Sequence, residues 1–323
     1  MSNFQGRVTK LLNDWEIRIA VLLSLLLQIF LTVAGNRRKY ATKTWIRFIL
    51  WLAYLAADWV ATVSLGILSK YDKTIDSNYV MAAFWAPFLL VHLGGPYTIT
   101  AYALEDNELW LRHFLGLLVQ SGVALYVFIR SWGGFRLNYI AFPMFVAGMV
   151  KYGERTWVLR SASRDNFRDV MLPPPDRGPN YSKFMDDYSS KLAEGYKITM
   201  GTVIDVPTVV RRSQSASDNP DAADLDNAFY FFKTFKRLFA DLILSFQARQ
   251  QSQSFFTEQQ WGKAYGVIEV ELGLMYDLLY TKATLTFSRL GIFLRFISLS
   301  STVSALVAFI VIDKHKLDNA LVI

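Results

Sequence analysis

Long apolar runs without charge alternate with short, strongly charged connectors along most of the chain. A helix of about 20 apolar residues crosses the hydrocarbon core of a bilayer. A charge at its centre costs roughly 2.5–3.5 kcal/mol even on lenient scales. The pattern therefore predicts an all-α fold, a polytopic α-helical membrane bundle of about six spans. The predicted spans are residues 19–35, 48–68, 80–104, 113–129, 137–157 and 290–312.

The third and fifth predicted spans are irregular. Gly94, Gly95 and Pro96 interrupt the third, and this triplet should break or kink the helix, because proline removes a backbone donor and glycine favours other conformations. The fifth continues through Lys151, Glu154 and Arg155, which share one helix face. We expect these three charges to pair and to snorkel outward toward the headgroups.

The chain between the fifth and sixth spans reads as a partly helical cytosolic segment. We therefore predict a membrane domain over residues 1–160, a cytosolic segment over 161–283 and a sixth span with a short tail over 284–323. The polar stretch 211–227 is typical of disorder.

Two amphipathic helices are predicted after this stretch, a basic one over 228–246 and an acidic one over 267–279. They could pair with each other. Alternatively, the basic helix could lie on an anionic membrane surface.

Orientation follows from the Lys and Arg residues beside the spans. Five of them lie between spans one and two and three more open the long segment, whereas the second and fourth connectors carry two each. We therefore expect the 161–283 segment in the cytosol and both termini outside, in the plasma membrane or an endomembrane.

Composition narrows the function. Apolar residues make up 53% of the chain and charged residues 19%, and the net charge is +7. The basic residues sit mostly beside the spans, so we read them as topology signals and predict no nucleic-acid partner. The absence of cysteine excludes disulfides, thiolate metal sites and cysteine nucleophiles.

Catalytic signals are weak. Three histidines are too few for a membrane di-iron oxygenase or desaturase, and no HExxH, GxSxG, P-loop or GxGxxG motif occurs. We predict no catalytic residues, metal or cofactor.

A candidate intramembrane polar site surrounds the third span. An ionisable residue inside a span is a functional hypothesis by default, and broken helices form binding sites in many transporters. Asp58 and His92 could face each other as a proton-responsive pair, or Asp58 could serve packing by capping the broken helix. Arg295 could pair with Asp58, serve an anion, or snorkel. The site residues are Asp58, His92, Gly94, Gly95, Pro96 and Arg295.

A candidate acidic and histidine cluster lies in the connector between spans three and four. Carboxylates beside a histidine could bind a metal or act as acid and base. The alternative is that this turn caps the fourth span and pairs with Arg112, which the helix dipole favours. The cluster comprises Glu105, Asp106, Glu108 and His113.

Ser215 is a candidate phosphosite. Arg211 and Arg212 precede it at the spacing that a basophilic kinase prefers, and added phosphate would reverse the local charge.

Four strings in the chain are distinctive: AADWVATVSLGIL (56–68), WAPFLLVHLGGPYTITAYALEDNELWLRH (85–113), FVAGMVKYGERTWVLRSAS (145–163) and VIEVELGLMYDLLYTKA (267–283). They resemble the plant domain-of-unknown-function 4220 family, and the resemblance covers nearly the whole chain. It implies a plant multi-pass membrane protein. Members typically continue into a C-terminal region, domain of unknown function 594, which we expect to be lacking here.

Three classes of function fit these observations. We expect a membrane scaffold or signalling component, because polar residues in the spans are few and the cytosolic segment is long and patterned. Its partners would be the lipid bilayer and cytosolic proteins bound through residues 228–279. The alternatives are a channel or transporter with a polar site at the broken third span, and a membrane-embedded lipid-modifying enzyme.

Overall fold

The computed structural model describes residues 2–70, 84–130, 136–166, 220–240, 242, 244 and 246–311, and this part of the chain is helical without strands. A 3-10 turn, Lys236–Ala240, follows α8. The helices are α1 Ser2–Ala34, α2 Arg37–Tyr40, α3 Thr44–Lys70, α4 Ala86–Leu93, α5 Leu104–Glu108, α6 Trp110–Arg130, α7 Arg136–Ser161, α8 Pro220–Phe235, α9 Phe246–Glu258, α10 Trp261–Tyr280, α11 Ala283–Thr286 and α12 Arg289–Val311.

The chain divides into two compact units. The first comprises Met1–Ser161 and Leu278–Ile323, and the second Ala162–Asp277. Among the described residues, four helical stretches are long and apolar enough to cross a membrane: Trp15–Ala34, Thr44–Lys70, Trp110–Arg130 and Arg289–Val311. The count of six crossings stays a prediction, because α4 has only 8 residues and α7 carries several charges.

In the first unit, α7 packs most extensively against α4 and α12. One buried cluster joins α1, α3, α4, α6 and α7, and it includes Val21, Leu65, Leu90, Val127 and Tyr152. The opposite faces of the long helices expose large apolar side chains, as along α12. Such outward apolar faces are what a lipid environment requires.

The third predicted span is broken where the sequence indicates. Helix α4 ends at Leu93, and no helix resumes before Leu104. Gly95 has φ +67°, a left-handed conformation that side chains other than glycine rarely adopt. The prediction of a break at Gly94-Gly95-Pro96 is therefore confirmed.

In the second unit, the structure differs from two predicted boundaries, those of the disordered stretch and of the basic helix. Helix α8 starts at Pro220, so residues 220–227 of the stretch expected to be disordered are helical; proline suits a first helical position because it has no N–H to satisfy there. The predicted basic helix over 228–246 is also wrong, because α8 ends at Phe235 and a 3-10 turn follows. The helical spacing of apolar residues did not reveal that the α-helix ends at Phe235.

An aromatic core holds the second unit together. Ala228 and Phe231 of α8 pack with Val267 of α10, and Phe255 and Phe256 of α9 pack against them. The Phe231 ring lies 4.8 Å from that of Phe255 and 5.0 Å from that of Phe256, centre to centre. The predicted basic and acidic helices therefore meet, but through apolar side chains and a third helix.

Candidate functional site around the broken third span

The C-terminal end of α4 leaves backbone carbonyls without helical partners, as every helix end does. Three side chains from other elements donate to them. Gln28 Nε2 donates to His92 O at 2.9 Å, Arg155 Nη1 to Leu93 O at 3.1 Å, and Lys282 Nζ to Gly94 O at 2.9 Å. Two of these donors are cations, which suits the negative end of the helix dipole.

Arg155 joins α7 to α3. Its guanidinium binds both carboxylate oxygens of Asp58, with N–O distances of 2.6 and 2.8 Å, and also donates to the Tyr54 hydroxyl at 3.4 Å. The arginine side chain is 4% exposed and the Asp58 side chain 33%. Arg155 and Glu154 are buried in the protein. The expectation that the α7 charges snorkel outward is therefore wrong for these two residues.

Lys282 forms the second charged group at the break. Its amine lies 3.6 Å from the Glu154 carboxylate, and both side chains are almost fully buried. The same amine donates to Lys151 O at 3.2 Å. Lys282 lies outside the helices that could cross a membrane; burial lowers its pKa to about 7, and the Glu154 carboxylate opposes that shift.

The chain just before α11 lies alongside the non-helical segment of the third span. Thr100 N donates to Tyr280 O at 2.8 Å, and Lys282 N donates to Tyr97 O at 3.2 Å. Asn107 Nδ2 adds a bond to Leu279 O at 3.0 Å. These bonds give the irregular backbone the partners that buried amides and carbonyls need.

The two members of the predicted proton-responsive pair have different hydrogen-bond partners. Asp58 binds Arg155, whereas His92 Nδ1 lies 2.9 Å from the Ser24 hydroxyl. Arg295 does not pair with Asp58 either, since it donates to the Thr286 hydroxyl at 2.7 Å. Arg155 is thus the residue that links Asp58 to the backbone of the break.

The acidic turn has the geometry of a cap. Asp106 accepts from the backbone N–H groups of Tyr102 and Ala103 at 2.8 and 3.2 Å, and it lies 3.8 Å from Arg112. Asp106 thus caps the short helix α5, whereas the capping alternative placed the cap at the fourth span; the expected pairing with Arg112 is present. Glu105 and Glu108 are exposed.

His113 is half-buried, and its Nε2 has no hydrogen-bond partner among the residues that the structure describes. Within the described part of the chain, no three His, Asp or Glu side chains are placed to hold a metal ion. Ser215 lies outside the described residues.

Sequence reasoning missed the residues that complete this site. Gln28 and Lys282 reach the break from positions 64 and 188 residues away from the carbonyls they bind. One usable signal was present: Lys282 is an isolated charge in the stretch LLYTKATLTF, just before the sixth predicted span. An isolated lysine there indicates a buried partner.

At Gly94 the end of α4 lies close to the backbone of α7. Its φ of −63° suits any residue, but a Cβ there would lie 2.7 Å from the Lys151 carbonyl carbon and 2.9 Å from Tyr152 N. Because these are backbone atoms, we expect Gly94→Ala to destabilise the protein by about 1–3 kcal/mol. Reversible unfolding in mixed detergent micelles measures this.

Gly66→Ala is the matched control, because a Cβ at Gly66 meets nothing within 4 Å. Alanine also favours the helix by roughly 1 kcal/mol relative to glycine. This variant should therefore be neutral or slightly stabilised. Equal losses in both variants would contradict the close approach at Gly94.

Comparison with known proteins identifies a family. Residues 51–322 match the family described as "Domain of unknown function (DUF4220)". No curated protein and no solved structure matches the chain. The matched range includes most of α3, the break and the Asp58, Glu154, Arg155 and Lys282 side chains.

Proposed function

Because the chain belongs to the DUF4220 family, whose description assigns no activity, we propose its function from the contacts at the break and in the second unit. The protein is a plant multi-pass membrane scaffold or signalling component. Its membrane unit anchors the chain, and its cytosolic unit binds another protein through residues 228–279.

One observation supports anchoring most strongly. The charged groups at the break bind backbone carbonyls and one another. Arg155 binds Asp58 and Leu93 O, and Lys282 binds Glu154 and Gly94 O. A transport site needs polar groups that can exchange their partners for a substrate. Groups tied to backbone carbonyls of the same fold are suited to keeping one conformation.

The proposed topology has six crossings, with α4 and α7 added to the four apolar helices. Two observations support counting α4 and α7 as crossings. Glu154 and Arg155 of α7 are buried in the protein and would not face lipid, and α4 is covered by neighbouring helices. In this topology the connector after α3 is outside and the second unit is cytosolic.

A glycosylation tag tests that orientation. An acceptor sequence inserted within residues 70–77 should be glycosylated in a microsomal translation system, because this connector would face the lumen. The same tag inserted between Asn36 and Lys43 should remain unmodified. The reverse pattern would invert the topology.

The partner surface that we propose is an apolar stripe on α10. Its side chains recur every three or four residues. Two are aromatic and two aliphatic, yet they are between 39% and 84% exposed. Exposed Glu258 and Glu269 lie near it in sequence. A basic amphipathic helix of another protein would complement this combination of apolar and acidic side chains. The stripe comprises Trp261, Tyr265, Ile268 and Leu272.

The scaffold proposal makes a specific prediction for Leu272→Glu. A charge at the C-terminal end of the apolar stripe should reduce partner recovery in proximity labelling by at least about tenfold, because desolvating an unpaired charge costs several kcal/mol. Lys263→Ala, an exposed change on the same helix, should leave recovery unchanged.

A recovered partner then needs direct confirmation. A synthetic peptide of its basic helix should bind the purified full chain and bind the Leu272→Glu variant at least about tenfold more weakly. Equal recovery by wild type and Leu272→Glu would refute the proposed surface.

A further inference from the structure

Three cationic groups surround the ring of Tyr97, the residue that follows the Gly-Gly-Pro break. The Arg295 guanidinium carbon lies 4.5 Å from the ring centre, the Lys282 amine 5.1 Å and the Lys151 amine 5.3 Å. They come from α12, from the chain before α11 and from α7, so the fold assembles them from distant sequence positions. A cation over a tyrosine ring is stabilised only modestly.

The cations around Tyr97 outnumber the carboxylates that could neutralise them. Glu154 supplies one carboxylate, and Lys282 lies 3.6 Å from it. The Tyr97 hydroxyl also donates to Glu154, at 3.4 Å. Arg295 donates to the neutral Thr286 hydroxyl and also interacts with the Tyr97 hydroxyl. Among the described residues, neither Lys151 nor Arg295 lies within ion-pair distance of a carboxylate.

The three cations at this ring thus share the Glu154 carboxylate, which pairs with Lys282 and also attracts the Lys151 amine. Lys151 and Arg295 are both half-buried, and half-buried like charges at one ring repel each other more strongly than they would in water. A charge inside a membrane bundle normally pairs with a group of opposite sign. An additional anion at this ring would therefore reduce the repulsion among the cations.

The position of the cluster suits an anion that belongs to a membrane surface. Arg295 is six residues from the start of α12, a rise of roughly 9 Å. The neighbouring Phe293 and Phe296 are exposed and apolar. A lipid whose headgroup reached the cluster could therefore lay its acyl chains along the same helix.

We propose that Lys151, Arg295 and the edge of Tyr97 form a binding site for a phosphate group. A phosphomonoester carries about −1.5 to −2 charges at neutral pH, which suits a cluster where cations outnumber carboxylates. Arginine binds phosphate through paired N–H groups, and lysine binds it as a point charge. The phosphate comes from an anionic phospholipid headgroup or from a soluble phosphate. The site is independent of the partner-binding role of the second unit.

The test uses the full chain purified in a neutral detergent. Its thermal unfolding is followed by tryptophan fluorescence while dioctanoyl phosphatidic acid or inorganic phosphate is added, because a ligand that binds the folded state raises Tm. Dioctanoyl phosphatidylcholine, which has no net charge, serves as the lipid control. We expect phosphatidic acid to raise Tm at concentrations where phosphatidylcholine does not.

Variants locate the site. The double variant Lys151→Met, Arg295→Met should weaken binding by at least about tenfold, because it removes both charge-assisted contacts while keeping long side chains. Lys70→Met removes an exposed lysine at the end of α3 and should change the affinity by less than about twofold.

Tyr97→Glu gives a second route if the double variant does not fold. It places a carboxylate among the three cations, in the region that the ring occupies. It should keep the fold and weaken phosphate binding by at least about tenfold, because an internal anion replaces the external one.

The outcomes separate the two sources of phosphate. Binding of phosphatidic acid that the variants abolish assigns the site to a lipid, and the same result with inorganic phosphate alone assigns it to a soluble ligand. The site is refuted if neither probe binds the wild type, or if binding survives both Tyr97→Glu and the double variant.

Discussion

Arg155→Met is expected to destabilise the membrane unit by about 3–5 kcal/mol, the cost of removing one partner from a buried ion pair. Asp58 would lose both of its bonds to the guanidinium, and Leu93 O would lose a donor. The loss should exceed that of an ordinary buried hydrogen bond, which is about 1 kcal/mol. Reversible unfolding in mixed micelles, followed by tryptophan fluorescence, measures the effect.

A double-mutant cycle identifies the cause. Asp58→Asn removes the negative charge, so Arg155→Met should cost less in that background, with a coupling of about 1 kcal/mol or more. Arg289→Met, at an exposed position where α12 begins, should change stability by no more than about 0.5 kcal/mol. Additive effects of the two substitutions would mean that the pair does not stabilise the fold.

Lys282→Met should have a comparable effect for a different reason. The fully buried amine is the donor to Gly94 O and Lys151 O and the counter-charge of Glu154. Its removal leaves a buried carboxylate unpaired, which costs several kcal/mol. We also expect the chain before α11 to loosen from the break, so the Thr100 and Lys282 amides should exchange hydrogen at least about tenfold faster.

Glu154 provides the internal check on this prediction. Lys282→Met combined with Glu154→Gln removes both charges, and it should be more stable than Lys282→Met alone. Lys263→Met, at an exposed lysine of α10, should leave both stability and amide exchange at the break unchanged. Equal protection of Thr100 in wild type and Lys282→Met would show that other contacts hold the segment in place.

The apolar helices and the break were predictable because their causes are local. The stretches 48–68 and 290–312 carry few charges, and the described helices α3 and α12 cover almost all of them. The break needed only Gly94, Gly95 and Pro96, since glycine and proline act on their own backbone. The capping alternative for Asp106 followed from equally local rules.

The partners of the charged residues were not predictable in the same way. Asp58 was considered with His92 or Arg295, yet it binds Arg155, 97 residues away. The outward direction expected for Glu154 and Arg155 was wrong, because the apolar character of a helix face does not reveal a polar groove on its neighbours. In the second unit, α9 and its Phe255 and Phe256 had no counterpart in the prediction.

The sequence by itself determined the all-α character, the long apolar helices, the position of the break and the family to which the chain belongs. Each depends on hydropathy or backbone chemistry over a few consecutive residues. Only the tertiary structure decided that Arg155 and Lys282 close the break and that Lys151 and Arg295 meet at Tyr97. The reason is that a buried charge selects its partner by three-dimensional proximity, which helix packing sets between residues far apart in the chain.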